Sequence, residues 1–123
     1  MTELLHKDVT EKIIGAAFEV YRELGYGFLE KVYQKAMVYE LGLMGVQYKE
    51  EPPTPAMYKG IKLLDYFGDL LVEDVVMVEL KAHKTYQADD EAQLLNELRA
   101  SNYRVGLLIN FGRDGVKFKR MVF

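Results

Sequence analysis

DLLVEDVVMVELK, residues 69–81, sets charged side chains inside what otherwise reads as the most deeply buried β-hairpin of the chain. Strand side chains alternate between faces, so Glu79 and Lys81 point one way while Val76, Val78 and Leu80 point the other. A three-residue loop at Glu73, Asp74 and Val75 reverses the chain and sets Val72 against Val76. That register carries Asp69 directly opposite Glu79, with Cβ atoms about 5 Å apart. Like charges facing each other across a hairpin are destabilising, so the pattern calls for a cation, a proton or the Lys81 ammonium between the two carboxylates. It reads as a metal site.

On the N-terminal side, Asp8 and Glu11 have capping-box spacing, and Val9, Ile13, Ala16, Val20 and Leu24 follow at helical intervals up to Gly25. A second helix opens near Phe28, with Leu29, Val32 and Ala36 as its apolar stripe and Gly42 as its stop. Glu30 lies in its first turn, where a carboxylate complements the helix macrodipole. Residues 46–59 hold all three prolines and read as an irregular edge strand. Lys59-Gly60 is a turn, after which Ile61 to Leu64 lead inward to the hairpin.

On the C-terminal side, residues 88–101 read as a helix with Asp89, Asp90 and Glu91 at its N-terminal end and Ala92, Leu95 and Leu98, joined by Leu94, as its buried stripe. Gln93, Asn96 and Glu97 fall on another side, and Gln93 has a role only if that side borders the site. VGLLIN, 105–110, is a continuous apolar run that fits a buried strand parallel to the second hairpin strand, closing a β-α-β crossover. Gly112 to Gly115 form a turn before a half-exposed last strand that sends Val116, Phe118 and Met121 inward. The order α-α-β-β-β-α-β-β describes an α/β (in some schemes α+β) fold, one mixed sheet flanked by helices, in a single domain over residues 1–123.

With 123 residues, half of them hydrophobic and 28% charged, the chain can bury a core without disulfides. No segment approaches the roughly 18 apolar residues of a membrane span, and the start has neither the basic residues nor the apolar run of a secretory signal. A cytoplasmic protein with no membrane partner is expected. There is no cysteine and there are two histidines, His6 and His83, so a metal must be held mainly by oxygen, which favours Mg²⁺ or Mn²⁺. The net charge of −3 excludes an indiscriminate nucleic-acid binder. From residue 104 onward, however, five basic residues face the single acid Asp114.

Mg²⁺ takes one or two protein carboxylates and leaves the rest of its octahedron to water and phosphate, so Asp69 and Glu79 suffice, with the Leu80 backbone carbonyl as a further oxygen. Lys81 beside such an ion holds an attacking hydroxide or a phosphate. The implied reaction is phosphodiester hydrolysis.

These residues carry a resemblance. Asp69, a nine-residue gap and Glu79-x-Lys81 on a hairpin followed by a helix resemble the PD-(D/E)XK nuclease superfamily, and more closely its GxxExxY branch. The naming motif stands as Gly27-Phe28-Leu29-Glu30-Lys31-Val32-Tyr33, and the similarity continues through 69–73, 78–82, 91–96 and 106–112. The resemblance implies a restriction-endonuclease-like fold, with Asp69 and Glu79 as metal ligands, Lys81 as the catalytic lysine, and Glu30 contributing to metal and catalysis from a helix. Gly68 stands where the superfamily's name has proline. Recombination-type exonucleases of the superfamily pair a glutamine on the next helix with a tyrosine four residues later; here Gln93 is present but position 97 is Glu97. Gln93 is therefore kept as a site residue and Glu97 is not.

The leading expectation is a Mg²⁺-dependent nuclease acting on nucleic acid, chiefly DNA, with Lys84, Arg104, Lys117 and Lys119 as phosphate contacts. The alternative is a nucleic-acid-binding or protein-interaction module that keeps the fold without the activity. A purely structural buried ion pair is a third reading, disfavoured because the spare carboxylate is costly. A homodimer is expected, with a contact around Tyr21, Tyr26 and Tyr39.

Overall fold

The computed structural model describes residues 4–123, which run through α1 (Lys7–Leu24), α2 (Glu30–Leu43), β1 (Tyr48–Glu50), β2 (Pro53–Tyr58), β3 (Ile61–Phe67), β4 (Leu70–Val72), β5 (Val76–Lys81), α3 (Asp89–Ala100), β6 (Val105–Gly112) and β7 (Gly115–Val122). A five-stranded sheet in the order β1-β4-β5-β6-β7 is parallel only between β5 and β6, which α3 connects. α1 and α2 cover one face, over a core that takes Val76, Val78 and Leu80 from β5 and Val105, Leu107, Ile109 and Phe111 from β6. α3 covers the other with Leu94 and Leu98, packed on Met77 and Leu108. β6 is buried along its whole length, as its uninterrupted apolar run requires.

The quoted hairpin forms in the expected register: Val72 opposes Val76, Leu71 opposes Met77 and Leu70 opposes Val78. Its turn puts Glu73 (φ 53°) and Asp74 (φ 59°) in the left-handed region, closed by a Val75 N–H bond to the Val72 carbonyl of 3.0 Å. Such backbone costs about 1–3 kcal/mol for a side chain like Glu73. A two-way contact offsets it: the Glu73 N–H donates to the Gln47 carbonyl at 2.9 Å, and the Glu73 carboxylate accepts the Gln47 N–H at 2.8 Å.

Several local expectations give way to tertiary structure. The capping box does not form, because His6 occupies the N-cap in a left-handed conformation and Asp8 falls inside the first turn. α2 runs past Gly42, and Gly45 (φ 73°) makes the turn. Its buried residues are Tyr33, Gln34, Met37, Val38 and Leu41, while Leu29 and Val32 face outward. Five strands, not three, lie between α2 and α3. β1 edges the main sheet, while β2 and β3 form a separate two-stranded ribbon. The Lys59-Gly60 turn is where it was expected, with both residues at positive φ, but β3 stays largely exposed instead of entering the core. On α3, Ala92 is exposed and Leu94, Glu97 and Leu98 are buried. On β7, Phe118 remains exposed, edge-on to Phe18, while Val116 and Met121 pack inward.

Glu73→Ala removes the bond to the Gln47 N–H and leaves the left-handed backbone in place. Urea unfolding should show a loss of about 1–2 kcal/mol relative to wild type.

Candidate functional site

The site begins where β4 ends. Beyond the Leu70–Val78 pair, β5 has no strand beside it on the β4 side, and the Leu80 N–H donates instead to Asp69 Oδ2 at 2.6 Å. A strand residue's N–H and C=O point to the same side, so the Leu80 carbonyl faces this gap as well. The Asp69 carbonyl accepts the Glu51 N–H at 2.9 Å and the Gly68 N–H reaches the Pro52 carbonyl at 3.3 Å, which fixes the backbone from which the Asp69 carboxylate projects.

Glu79 stands on the α3 side of β5, almost fully buried, and meets Glu97 of α3, which is fully buried. Glu79 Oε1 and both Glu97 oxygens lack any hydrogen-bond donor when both groups are ionised; one proton on Glu79 turns the facing carboxyls into a hydrogen-bonded pair. Burial is the main cause raising the Glu79 pKa, reinforced by Glu97 and Asp69 and opposed by Lys81. Glu97 is raised too, by burial first, although its contacts with Glu79 and Gln93 pull the other way. Asp69 is raised by burial against the lowering pull of the Leu80 N–H and of Lys81. All three carboxyls lie within the field of the Lys81 ammonium, whose Nζ donates to Gln93 Oε1 at 3.2 Å, and Asp69 also feels Lys31.

Gly68 is built into this cluster. A Cβ there would lie 2.8 Å from Met77 Sδ, 3.2 Å from Glu79 Oε1 and 3.4 Å from Glu97 Oε2.

α2 brings the Gly27–Tyr33 segment to the same end of the sheet. Gly27 takes φ 112°, which favours glycine, and Glu30 starts the helix. Tyr33 anchors it, stacked on Phe111 at 4.3 Å between ring centroids and donating its hydroxyl to the Gly25 carbonyl at 2.6 Å. The Glu30 carboxyl is raised by burial first and then by Asp69, and lowered by Lys81 and His83, so it lies within the field of the cluster.

The structure therefore brings together Asp69, Glu79, Leu80, Lys81, Gln93 and Glu30. It adds Glu97, which the sequence reading set aside. The signal was present: Glu97 stands three residues after Leu94 and one before Leu98, on the stripe that α3 turns to the sheet.

The basic residues divide. Lys81, Asn110 and Lys117 share one row across β5, β6 and β7, and Glu79, Leu108 and Lys119 share the next, so Lys117 and Lys119 stand on the face of Glu79 about 10 Å across two strand spacings. Lys84 lines a cleft with Lys117 and Asn110. The Asn110 amide fixes this loop by bonding the His83 N–H at 2.9 Å and the His83 carbonyl at 3.0 Å. Arg104 lies apart, before the first residue of β6 at the opposite end of the sheet, where its Nε bonds the Phe123 carbonyl at 3.4 Å.

A family model described as the PD-(D/E)XK nuclease superfamily matches residues 7–121. No curated protein matches the chain. Among solved structures, the crystal structure of SSO0001 is similar at a TM-score of 0.59 and 14% identity, over 94% of this chain and 57% of that one. This chain therefore spans a little over half of that neighbour's length. The crystal structure of an alkaline exonuclease (LHK-Exo) from Laribacter hongkongensis gives a TM-score of 0.47 at 11% identity, over 99% of this chain and 72% of that one.

A carboxyl whose pKa is raised by folding binds protons more tightly in the native state. Between the unfolded value near 4.5 and its folded value, stability therefore falls as pH rises, by up to about 1.4 kcal/mol per pH unit for each proton. In metal-free buffer, the unfolding free energy should decline from about pH 5 to pH 8. Glu97→Gln, which gives Glu79 an amide donor in place of a shared proton, should flatten that decline. Urea titrations at several pH values measure both.

Proposed function

The chain belongs to the PD-(D/E)XK nuclease superfamily, and from that membership we propose that it is a Mg²⁺- or Mn²⁺-dependent nuclease hydrolysing phosphodiester bonds in nucleic acid, chiefly DNA. Its Gly27–Tyr33 motif supports reading it as a member of the GxxExxY branch. The observation that carries the proposal is the Asp69 carboxylate bonded to the Leu80 N–H in the gap where β4 stops, with Glu79 and Lys81 within its electrostatic reach.

The donor set fits a hard divalent cation. Glu79 Oε1 is buried without a donor, the candidate ligand atoms are all oxygen, and Asp69 keeps its second oxygen beyond the bond to Leu80. Asp69, Glu79 and the Leu80 carbonyl would hold the ion, with Glu30 beside them. Bound there, it supplies Lewis-acid stabilisation of the phosphoryl charge and a lowered pKa for the attacking water. Lys81, oriented by Gln93, holds the phosphate against the carboxylates by charge-assisted hydrogen bonding. Glu79 would give up the proton it shares with Glu97 on becoming a ligand, so that binding would release a proton. Lys84, Lys117 and Lys119 track the backbone on the same face, while Arg104 contacts only a substrate long enough to reach the far end of the sheet. A water-filled, protein-rich interior is the proposed setting, and among the described residues no helix is long and apolar enough to cross a membrane.

One observation favours the second reading, a binding module without hydrolysis. Among the described residues, no three acidic or imidazole side chains stand together as a ready-made metal cage.

Cleavage of linear, circular, single-stranded and branched DNA, and of RNA, with Mg²⁺ or Mn²⁺ separates the two readings. Wild type should cut at least one substrate, and Lys81→Ala should lower the rate about 100-fold or more. If neither protein cuts any substrate above background, the binding-module reading stands. Calorimetric titration with Mn²⁺ should show binding that strengthens as pH rises, with proton release, and Glu79→Gln should abolish it.

A further inference from the structure

α2 carries two apolar stripes. Tyr33, Met37, Val38 and Leu41 enter the core. Leu29, Val32, Ala36, Tyr39 and Leu43 follow one another at intervals of three, four, three and four residues, the a and d spacing of a helix-pairing seam. At 3.6 residues per turn the centres of the two stripes lie roughly 160° apart, on opposite sides of the helix. The large side chains of the second stripe stand exposed, Leu29 at 78%, Tyr39 at 71%, Leu43 at 66% and Val32 at 38%, while Ala36 between them is half-buried against the core.

A surface with this spacing fits another helix. Its large side chains offer about 500 Å² of apolar area, and the half-exposed Phe28 and Met44 at the two ends bring the patch near the roughly 800 Å² that each partner of a standard interface buries. Two heptads are too few to fold an isolated coiled coil, but α2 is already formed by packing on its own core, so pairing carries no helix-forming cost. Ala36 at the middle of the seam lets the backbones approach closely.

Charge selects the occupant. With Leu29, Ala36 and Leu43 at a, Lys35 falls at g and Glu40 at the following e. In a parallel pair related by a two-fold axis, each g residue meets the e residue five positions on in the other helix, which sets Lys35 against the partner's Glu40 on both flanks. An antiparallel pair would set lysine near lysine. Lys35 reaches Glu50 at 2.8 Å, and its exposed ammonium retains donors for a second carboxylate. The helix that satisfies every one of these positions is α2 of another copy of this chain.

We propose that the chain forms a two-fold dimer in which α2 packs parallel to α2 of a second copy along Leu29, Val32, Ala36, Tyr39 and Leu43. The two α2 N-termini, each carrying Glu30, then lie side by side, so that, on the nuclease reading, both sites open toward the same end of the dimer and act on one substrate.

Oligomeric state tests this without reference to activity. Sedimentation equilibrium over about 1–100 µM should show a monomer–dimer equilibrium. Tyr39→Glu and Leu43→Glu, both on the exposed seam, should weaken it about 100-fold or more with unchanged circular dichroism and melting. Glu40→Lys should weaken it about tenfold, and the Lys35→Glu/Glu40→Lys double variant should return it to near wild type. A monomer at every concentration overturns the proposal, as does a dimer that ignores Tyr39→Glu and Leu43→Glu. Failure of the double variant to restore what Glu40→Lys removed overturns the parallel geometry.

Discussion

Past Val78, β5 leaves the company of β4, and the carboxylate of Asp69 takes the place that a backbone carbonyl would otherwise hold beside the Leu80 N–H. Much else depends on that substitution. It stops β4 after three residues, fixes the orientation of Asp69, and leaves the Leu80 carbonyl facing the same gap. It also lets the backbone before Asp69 turn away as the β2–β3 ribbon, tied back by hydrogen bonds at Glu51 and Pro52 and by packing of β2 against α3. A full-length β4 would pair Leu80 in the ordinary way and leave no gap for a ligand.

The chemistry of the site follows from crowding acids around a scarce cation. Asp69, Glu79 and Glu97 are all shifted toward their protonated forms by burial, with Lys81 as the opposing charge nearby. An isolated ionised carboxylate in such a place is costly, so burial favours the protonated forms of these groups. Folding therefore prepares the site and charges it against itself.

What was legible in the sequence was what local periodicity controls. The hairpin register came from strict alternation and a short loop, and the parallel β6 from an apolar run of strand length after a helix. What was not legible depended on which of two candidate faces meets the sheet. α2 has apolar residues on both sides, so of the stripe of Leu29, Val32 and Ala36 only Ala36 reaches the core, while Leu29 and Val32 point outward. α3 buries Glu97 on the stripe of Leu94 and Leu98, where its helical position pointed inward while its charge argued for solvent. The β2–β3 ribbon escaped because Pro53 and Pro55, with Pro52 just before them, read as irregular chain, yet prolines are tolerated in a pair with two open edges. Glu30 and Lys81 were placed by motif, whereas Arg104 was placed by charge alone and lies at the far end of the sheet.

The close approach at Gly68 has a consequence for descent. The room a side chain would need there is filled by Met77 Sδ and by the oxygens of Glu79 and Glu97. A side chain at position 68 therefore needs Met77 Sδ to move aside and brings its Cβ against the Glu79 oxygen behind it, so a lineage that gains alanine before Asp69 must let the sulfur on β5 give way.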